Sequence, residues 1–265
     1  MEHGLSLLWA LVLSTALAGL ALWKRALTRW GLVLAWLLSL VICLGGGLGG
    51  FLALAATYLF TIAAGKLSRR VRERVETRIH AKRGSRDAVQ VFCNVFLGAL
   101  MLLLRAITGW EGFVWAYGGA MAASLADSMA SELGVLSRRQ PRDILTLRPV
   151  EPGMSGGVTL LGFGASVLGA AIIGGICGGF QASAGMVLDV TAAGTFAALG
   201  DSVLGSAAQV KYRCGVCGAL TEKPRHCGAP GTAERGIPFV TNDTVNFMNN
   251  VLGALAALGL YLLHR

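Results

Sequence analysis

The run from Gly31 to Gly65 contains no charged residue. At ~1.5 Å per residue a single helix over it would far exceed the ~30 Å hydrocarbon core of a bilayer. The GGGLGG stretch at Gly45 to Gly50 offers a bend, because glycine adopts backbone conformations closed to other residues. Two short spans joined at this hinge are therefore expected.

The rest of the chain agrees with a membrane setting. Hydrophobic residues make up 54% and charged residues 14%, with a mean hydropathy of +0.63. This balance excludes an ordinary soluble domain. The 37 glycines fit helices that approach closely in lipid. Leu5 to Leu22 is long enough to cross and lacks a small-residue cleavage site, so it is read as a retained span. Further spans are expected at about Ala88 to Ile107, Gly112 to Leu133, Gly157 to Phe180, Ala184 to Val210 and Thr244 to Leu263. The expected fold is an all-α bundle of about eight transmembrane helices.

Basic residues test that count. With the hinge at Gly45 to Gly50, the four basic loops beginning near Lys24, Lys66, Arg138 and Lys211 all fall on one side, and both termini lie opposite. The positive-inside rule makes that side cytoplasmic. A single span over Gly31 to Gly65 would put the first two basic loops on opposite faces. The net charge of +9 is thus topological and attractive to anionic lipid. It is not interleaved with aromatic residues in a soluble domain, so nucleic acid is not an expected partner. Lys82, Arg83 and Arg86 adjoin a polar span start and suit attraction of an anionic substrate. The chain divides into N-terminal spans with a basic loop (1–87) and a catalytic membrane region (88–265) carrying an inserted loop (211–235).

Within the apolar spans, polar residues recur at helical spacing. LADSMASELG, Leu125 to Gly134, places Asp127 and Glu132 where the surroundings are apolar, and charge at membrane depth marks a functional site by default. Glu132 is alternatively an interfacial residue. Asp87, Gln90 and Asn94 share one helix face and are either part of a site or an interhelical hydrogen-bond set. Asp201, Ser202, Ser206 and Gln209 recur in GDSVLGSAAQVKYR, and Asn242, Asp243 and Asn246 in TNDTVNF, which reads as a cap and a helix start. Ser155, Gly156 and Gly157 precede a glycine-rich span. At a helix start they would offer backbone N–H groups to an anion; the alternative is a simple turn. Carboxylates, amides and such a nest are the parts needed to hold Mg²⁺ and a polyphosphate. No GxxxxGK[ST] element occurs, which excludes an ordinary P-loop.

The segment CGVCGALTEKPRHCG adds Cys214, Cys217, His226 and Cys227. Three Cys and one His at this spacing suit a closed, tetrahedral structural zinc site. A disulfide is the alternative, disfavoured in reducing cytosol. Cys43 and Cys93 lack such partners and read as packing residues.

LADSMASELG, RPVEPGMSGGVTLLGFGASVLGA, GDSVLGSAAQVKYRC and RGIPFVTNDTVNFMNNVLGAL, in this order, resemble the signature blocks of the integral membrane family that includes transmembrane protein 19 and the plant phytyl-phosphate kinase. The match spans roughly Arg83 to Leu258 and departs from the family at Ser128 and Met129, where Thr and Trp are usual. The resemblance implies a kinase that converts an isoprenyl monophosphate, such as phytyl, farnesyl or geranylgeranyl phosphate, to the diphosphate, with CTP as donor. The GDSxxxS core of Gly200 to Ser206 also resembles an element of CTP-dependent dolichol kinases and phosphatidate cytidylyltransferases.

Asp127, Glu132, Asp201 and Asp243 are then the implied catalytic and Mg²⁺ residues. Asn94, Ser155, Gly156, Gly157, Ser202, Gln209, Asn242 and Asn246 are the implied phosphate and nucleotide partners, and Arg86 or Lys211 offsets charge on the acceptor. Expected partners are the lipid monophosphate, a nucleoside triphosphate, membrane lipids and a second copy of the chain. The rival readings are a cytidylyltransferase acting on a lipid phosphate and a transporter or lipid-flipping protein using intramembrane acids.

Overall fold

The computed structural model describes residues 2–76 and 85–264, with side chains described for 7–69 and 85–264. Lys82 and Arg83 lie outside the described residues. The helices are α1 (Glu2–Trp23), α2 (Arg29–Glu76), α3 (Ala88–Thr108), α4 (Gly112–Gly134), α5 (Leu160–Phe180), α6 (Ala184–Ala207) and α7 (Asn242–Leu263). Among the described residues, α2, α3, α5, α6 and α7 are long and apolar enough to cross a membrane. The apolar part of α1 is shorter, and α4 falls outside this set because its Gly, Ala and Ser content lowers its hydropathy.

α2 is broken where the glycine run predicts. Gly47 takes φ 59° and ψ −152°, outside the helical region. A Cβ on Gly50 would lie 3.2 Å from the Ile42 carbonyl oxygen, whereas eight residues of continuous helix would separate the two by ~12 Å. The two arms therefore run side by side, and the hinge is held by Arg105, whose Nη1 donates to the Gly45 carbonyl at 3.1 Å.

α4 is the hub of the bundle, and small residues put it there. Gly162 and Gly169 of α5, Gly194 of α6 and Gly253 of α7 each lie against α4 so closely that a Cβ would meet its atoms. Gly119 and Gly253 bring the backbones of α4 and α7 into direct contact. Met121, Ala122 and Leu125 at this centre are fully buried and share one core with Ile42 and Ala53 of α2. Two buried amides tie α7 inward: Asn249 donates to the Ala123 carbonyl and Asn250 to that of Cys93.

One end of the bundle gathers all the long connections. Thr28 and Ala26, after α1, pair with Arg86 before α3, and Ser68 near the end of α2 donates to Glu132 near the end of α4. The opposite end is closed by short turns, by Trp110 edge-on to Tyr261 and by His264 against Asp189 at 3.2 Å. At the gathered end, β1 (Arg142–Asp143) pairs with β2 (Gly157–Val158). β3 (Lys211–Cys214), β4 (Leu220–Thr221), β5 (Arg225–His226) and β6 (Ala229–Arg235) form an antiparallel sheet in the order β4-β3-β6-β5. α5 begins at Leu160 rather than Gly157, because Gly157 and Val158 are spent on β2 and the Thr159 hydroxyl caps the helix through the Gly162 N–H.

Candidate functional site

A cavity of about 1790 Å³ opens at the gathered end of the bundle, between the connecting loops and the helix termini. α4 contributes Asp127, Ser128 and Ser131, α6 contributes Asp201 and Ser202, and α7 contributes Asn242, Asp243 and Asn246. The centre of the site is carboxylate chemistry. Asp201 stands within electrostatic range of Asp127 and of Glu222, and its Oδ1 is buried with no hydrogen-bond partner. Asp127 accepts from the Ser131 hydroxyl and feels the Arg86 guanidinium. Two carboxylates within electrostatic range of each other repel, and a proton or a cation between them relieves the repulsion. The orphaned oxygen and the oxygen-only donor set fit a hard divalent cation such as Mg²⁺.

The other two acids do not join this pair. Among the described residues, no three of Asp127, Glu132, Asp201 and Asp243 bring their carboxylate oxygens together as a metal-binding group. Glu132 lies five residues beyond Asp127, ~140° around the helix, and there its Oε2 accepts from Ser68 at 3.1 Å beside Gly65. Asp243 occupies the first turn of α7 on the cavity wall, with the N-cap at Thr241.

The expected anion nest is also corrected. The Ser155 N–H donates to Glu222 Oε1 at 2.8 Å, and the Gly157 N–H donates to the Met154 carbonyl at 3.0 Å. Gly156, at φ +87°, is pressed against Ser206. These three residues form a wall of the cavity, not a free helix start. Lys211 is likewise not a cavity residue. It is fully buried, and its Nζ donates to the Ser155 carbonyl at 2.8 Å. Burial, aided by Arg235, holds its ammonium down at about 8 although Glu222 and Asp143 pull the other way. Lys211 and Glu222 thus grip the backbone of Ser155, one at its C=O and the other at its N–H.

Asp143, which sequence reasoning missed, locks the same wall to α6. Its Oδ1 accepts from the Leu145 and Thr146 N–H groups and the Thr146 hydroxyl, and its Oδ2 accepts from Ser206 at 2.6 Å. Burial works to raise this carboxyl, but the hydrogen bonds led by Ser206 outweigh it and hold it at about 2. The Asp-x-x-Thr spacing in DILT is a local turn signal that would have found half of this arrangement.

The polar stripe on α3 turns out to be largely structural. Asp87 and Gln90 form a reciprocal capping box. Asn94 donates to the Gln90 carbonyl and accepts from Ser124, bridging α3 to α4 at the cavity edge. Ser202 donates to the Ala198 carbonyl one turn back. Gln209 is buried at the cavity with its side-chain oxygen unpartnered.

Beside the cavity, the strands after α6 assemble the one group of metal-ligand type among the described residues. Cys214, Cys217, His226 and Cys227 bring their ligand atoms within 4.8 Å of one another. His226 turns Nδ1 toward both Cys217 and Cys227, at 3.4 and 3.3 Å. Left-handed backbone at Gly218, Cys227 and Gly228 folds the two turns that present these side chains. No cysteine in the chain is disulfide-bonded. The group can hold a metal ion with all four positions filled by protein.

The chain is 30% identical to Protein PGR of Arabidopsis thaliana over 249 residues, covering 79% of this chain and 85% of that protein. It is 29% identical to an uncharacterized membrane protein of a Synechocystis species over 245 residues, 89% of this chain and 83% of the relative. An uncharacterized membrane protein of Methanocaldococcus jannaschii is 40% identical over 116 residues, 43% of this chain and 49% of the relative. No solved structure matches. Residues 12–254 match the family described as integral membrane protein DUF92, and the chain belongs to that family of integral membrane proteins.

Proposed function

We propose that the chain is a membrane-embedded phosphotransferase that converts an isoprenyl monophosphate to the diphosphate with CTP as donor. The observation that carries this reading is the pairing of Asp127 with Asp201, whose Oδ1 is buried and unpartnered, at the polar centre of a large cavity. These two carboxylates would hold Mg²⁺, and the bound ion would neutralise charge on the transferred phosphoryl group. Arg86 lies on the same wall and offsets charge on the acceptor phosphate. Asn242, Asp243, Asn246 and Gln209 border the space left for the nucleotide. No dedicated base is required, since a phosphate monoester oxygen is already anionic at neutral pH. The Cys214, Cys217, His226 and Cys227 group holds zinc, closed to solvent chemistry and structural in role. Arg69, Arg86, Arg138, Arg139 and Arg142 line the cavity, and the positive-inside rule assigns the basic end to the cytoplasm.

The test is incubation of purified protein and Mg²⁺ with each of CTP, ATP, GTP and UTP plus phytyl, farnesyl or geranylgeranyl monophosphate, with products identified by mass spectrometry. Isoprenyl diphosphate and a nucleoside diphosphate support the kinase. A nucleotidyl lipid with pyrophosphate replaces it with a cytidylyltransferase, which the GDSVLGS element of α6 favours as the rival. Lipid or ion flux without nucleotide consumption, surviving Asp201→Asn, replaces both with a transporter.

A further inference from the structure

The polar cavity has an apolar extension, and the helix contacts explain its position. At the end of the bundle away from the cavity, α5 and α6 are clamped together: a Cβ on Gly174 would meet Thr191, and one on Gly178 would collide with Val187. Toward the cavity the two helices take different partners. Gly162 of α5 lies against Ala130 and Gly134 of α4, while Gly200 of α6 lies against Leu252 of α7 and Gly205 against Ser155 and Gly156. Along this part of the α5–α6 seam, Phe163 and Ser166 of α5 and Ala198, Leu199 and Ser202 of α6 all line the cavity. Phe163 and Leu199 are 46% and 37% exposed, so this part of the seam is not packed shut. The α3–α7 seam is shut by contrast: Phe92 stacks on Phe96 at 4.4 Å and on Phe247 at 6.2 Å, and Asn250 bonds α3 directly.

We infer that the α5–α6 seam opens here into a gap that is the side entrance for the hydrocarbon chain of the acceptor lipid. Ala198 lies one helical turn before Asp201, and Ser202 bonds back to its carbonyl. An apolar seam whose residues line the same cavity as two carboxylates and an arginine fits one class of molecule, an amphiphile with an anionic head and a long apolar tail. The head reaches the Asp127 and Asp201 pair, and the tail leaves past Phe163 and Leu199 into the bilayer. The inference rests on the proposed lipid-phosphate substrate, and it adds Phe163 and Leu199 as the residues that select the shape of the first isoprene units.

The test uses wild-type protein in lipid nanodiscs and a geranylgeranyl monophosphate carrying a diazirine on its second isoprene unit. After photolysis without nucleotide, adducts are mapped by peptide mass spectrometry. Adducts on α5 and α6 near Phe163 and Leu199, competed by unlabelled monophosphate and not by geranylgeraniol, are expected. Adducts on α3 and α7 near Phe92 and Phe247 would overturn the entrance, as would no competed adduct at all. Leu199→Trp is then expected to lower that crosslinking at least tenfold, with Phe92→Ala within twofold of wild type; equal yields in both variants would also overturn it. Crosslinking needs no turnover. Adducts at the gap with no diphosphate product leave the entrance standing and remove the kinase, whereas product with adducts at α3–α7 does the reverse.

Discussion

Replacing Lys211 by Met should change stability in a direction that depends on pH. Lys211 is fully buried, and its ammonium is held at about 8 instead of 10.5. At ~1.4 kcal/mol per tenfold, keeping it charged at neutral pH costs ~3 kcal/mol relative to the unfolded chain. Methionine removes that cost and fills a similar volume. It also leaves the Ser155 carbonyl without its donor, a loss of ~1–3 kcal/mol. Near pH 7 the two effects nearly cancel, and the variant is expected within ~2 kcal/mol of wild type, on the stable side. Between pH 8 and 10.5 the unfolded chain binds more protons at this lysine than the folded one, so wild-type stability rises with pH. A neutral amine still donates to Ser155, so the bond survives in wild type. By about pH 10.5 the variant should be less stable than wild type by ~1–3 kcal/mol. Unfolding in mixed micelles followed by far-ultraviolet circular dichroism measures the difference at each pH. A difference that stays flat over this range would refute a desolvated Lys211 and restore it as a solvated phosphate ligand.

Asp143→Asn should lower stability by ~2 kcal/mol near pH 7. The carboxyl held at about 2 contributes above its unfolded value of 3.8, so the deficit should shrink as pH falls from about 4 toward 2, read by the same unfolding assay. Gly253→Ala forces a methyl group against Ala123 and the Gly119 carbonyl and should cost ~1–3 kcal/mol. Gly259→Ala on the same helix meets nothing within 4 Å and should be neutral or slightly stabilising. Cys217→Ser or a strong chelator should strip one zinc per chain, measured by elemental analysis, and expose β3–β6 to limited proteolysis. Retention of zinc in Cys217→Ser would remove this residue as a ligand.

The features legible in the sequence are local ones. The Gly45 to Gly50 hinge needs only a glycine run inside an overlong apolar segment, and Gly47 breaks α2 there. The Cys and His group lies within fourteen positions of chain, Cys214 to Cys227, so its spacing alone announces it. The misread residues depend on partners far away. Ser155 is bonded to Glu222 and Lys211, 67 and 56 positions along the chain, and nothing near Ser155 signals that its N–H is occupied. The same holds for Asp143 with Ser206, 63 positions apart. Of the four acids, helical geometry already separates Glu132 from Asp127, but only packing of α4 against α6 selects Asp201 as the partner of Asp127. Two of the four strands in the sheet, β4 and β5, are two residues each and too short to show alternation.

The distribution of close contacts accounts for why the chemistry sits at one end. In lipid there is little hydrophobic force between helices, so packing is densest where small residues let backbones meet. Gly98, Gly119, Gly194 and Gly253 draw α3, α6 and α7 onto α4 in the middle of the bundle, and Gly174 and Gly178 seal α5 to α6 at the far end. At the near end the helices also carry Asp127, Ser131, Asp201, Asn242 and Asn246, and there these residues line the cavity. Polar groups of this kind are costly against hydrocarbon and need a hydrated or ligand-filled space. The sheet carrying Cys214 and His226 closes that space from outside, because Lys211 at the start of β3 and Glu222 just after β4 both hold the Ser155 wall. A metal held by the Cys214, Cys217, His226 and Cys227 group would therefore be coupled to the shape of the cavity through the backbone of Ser155.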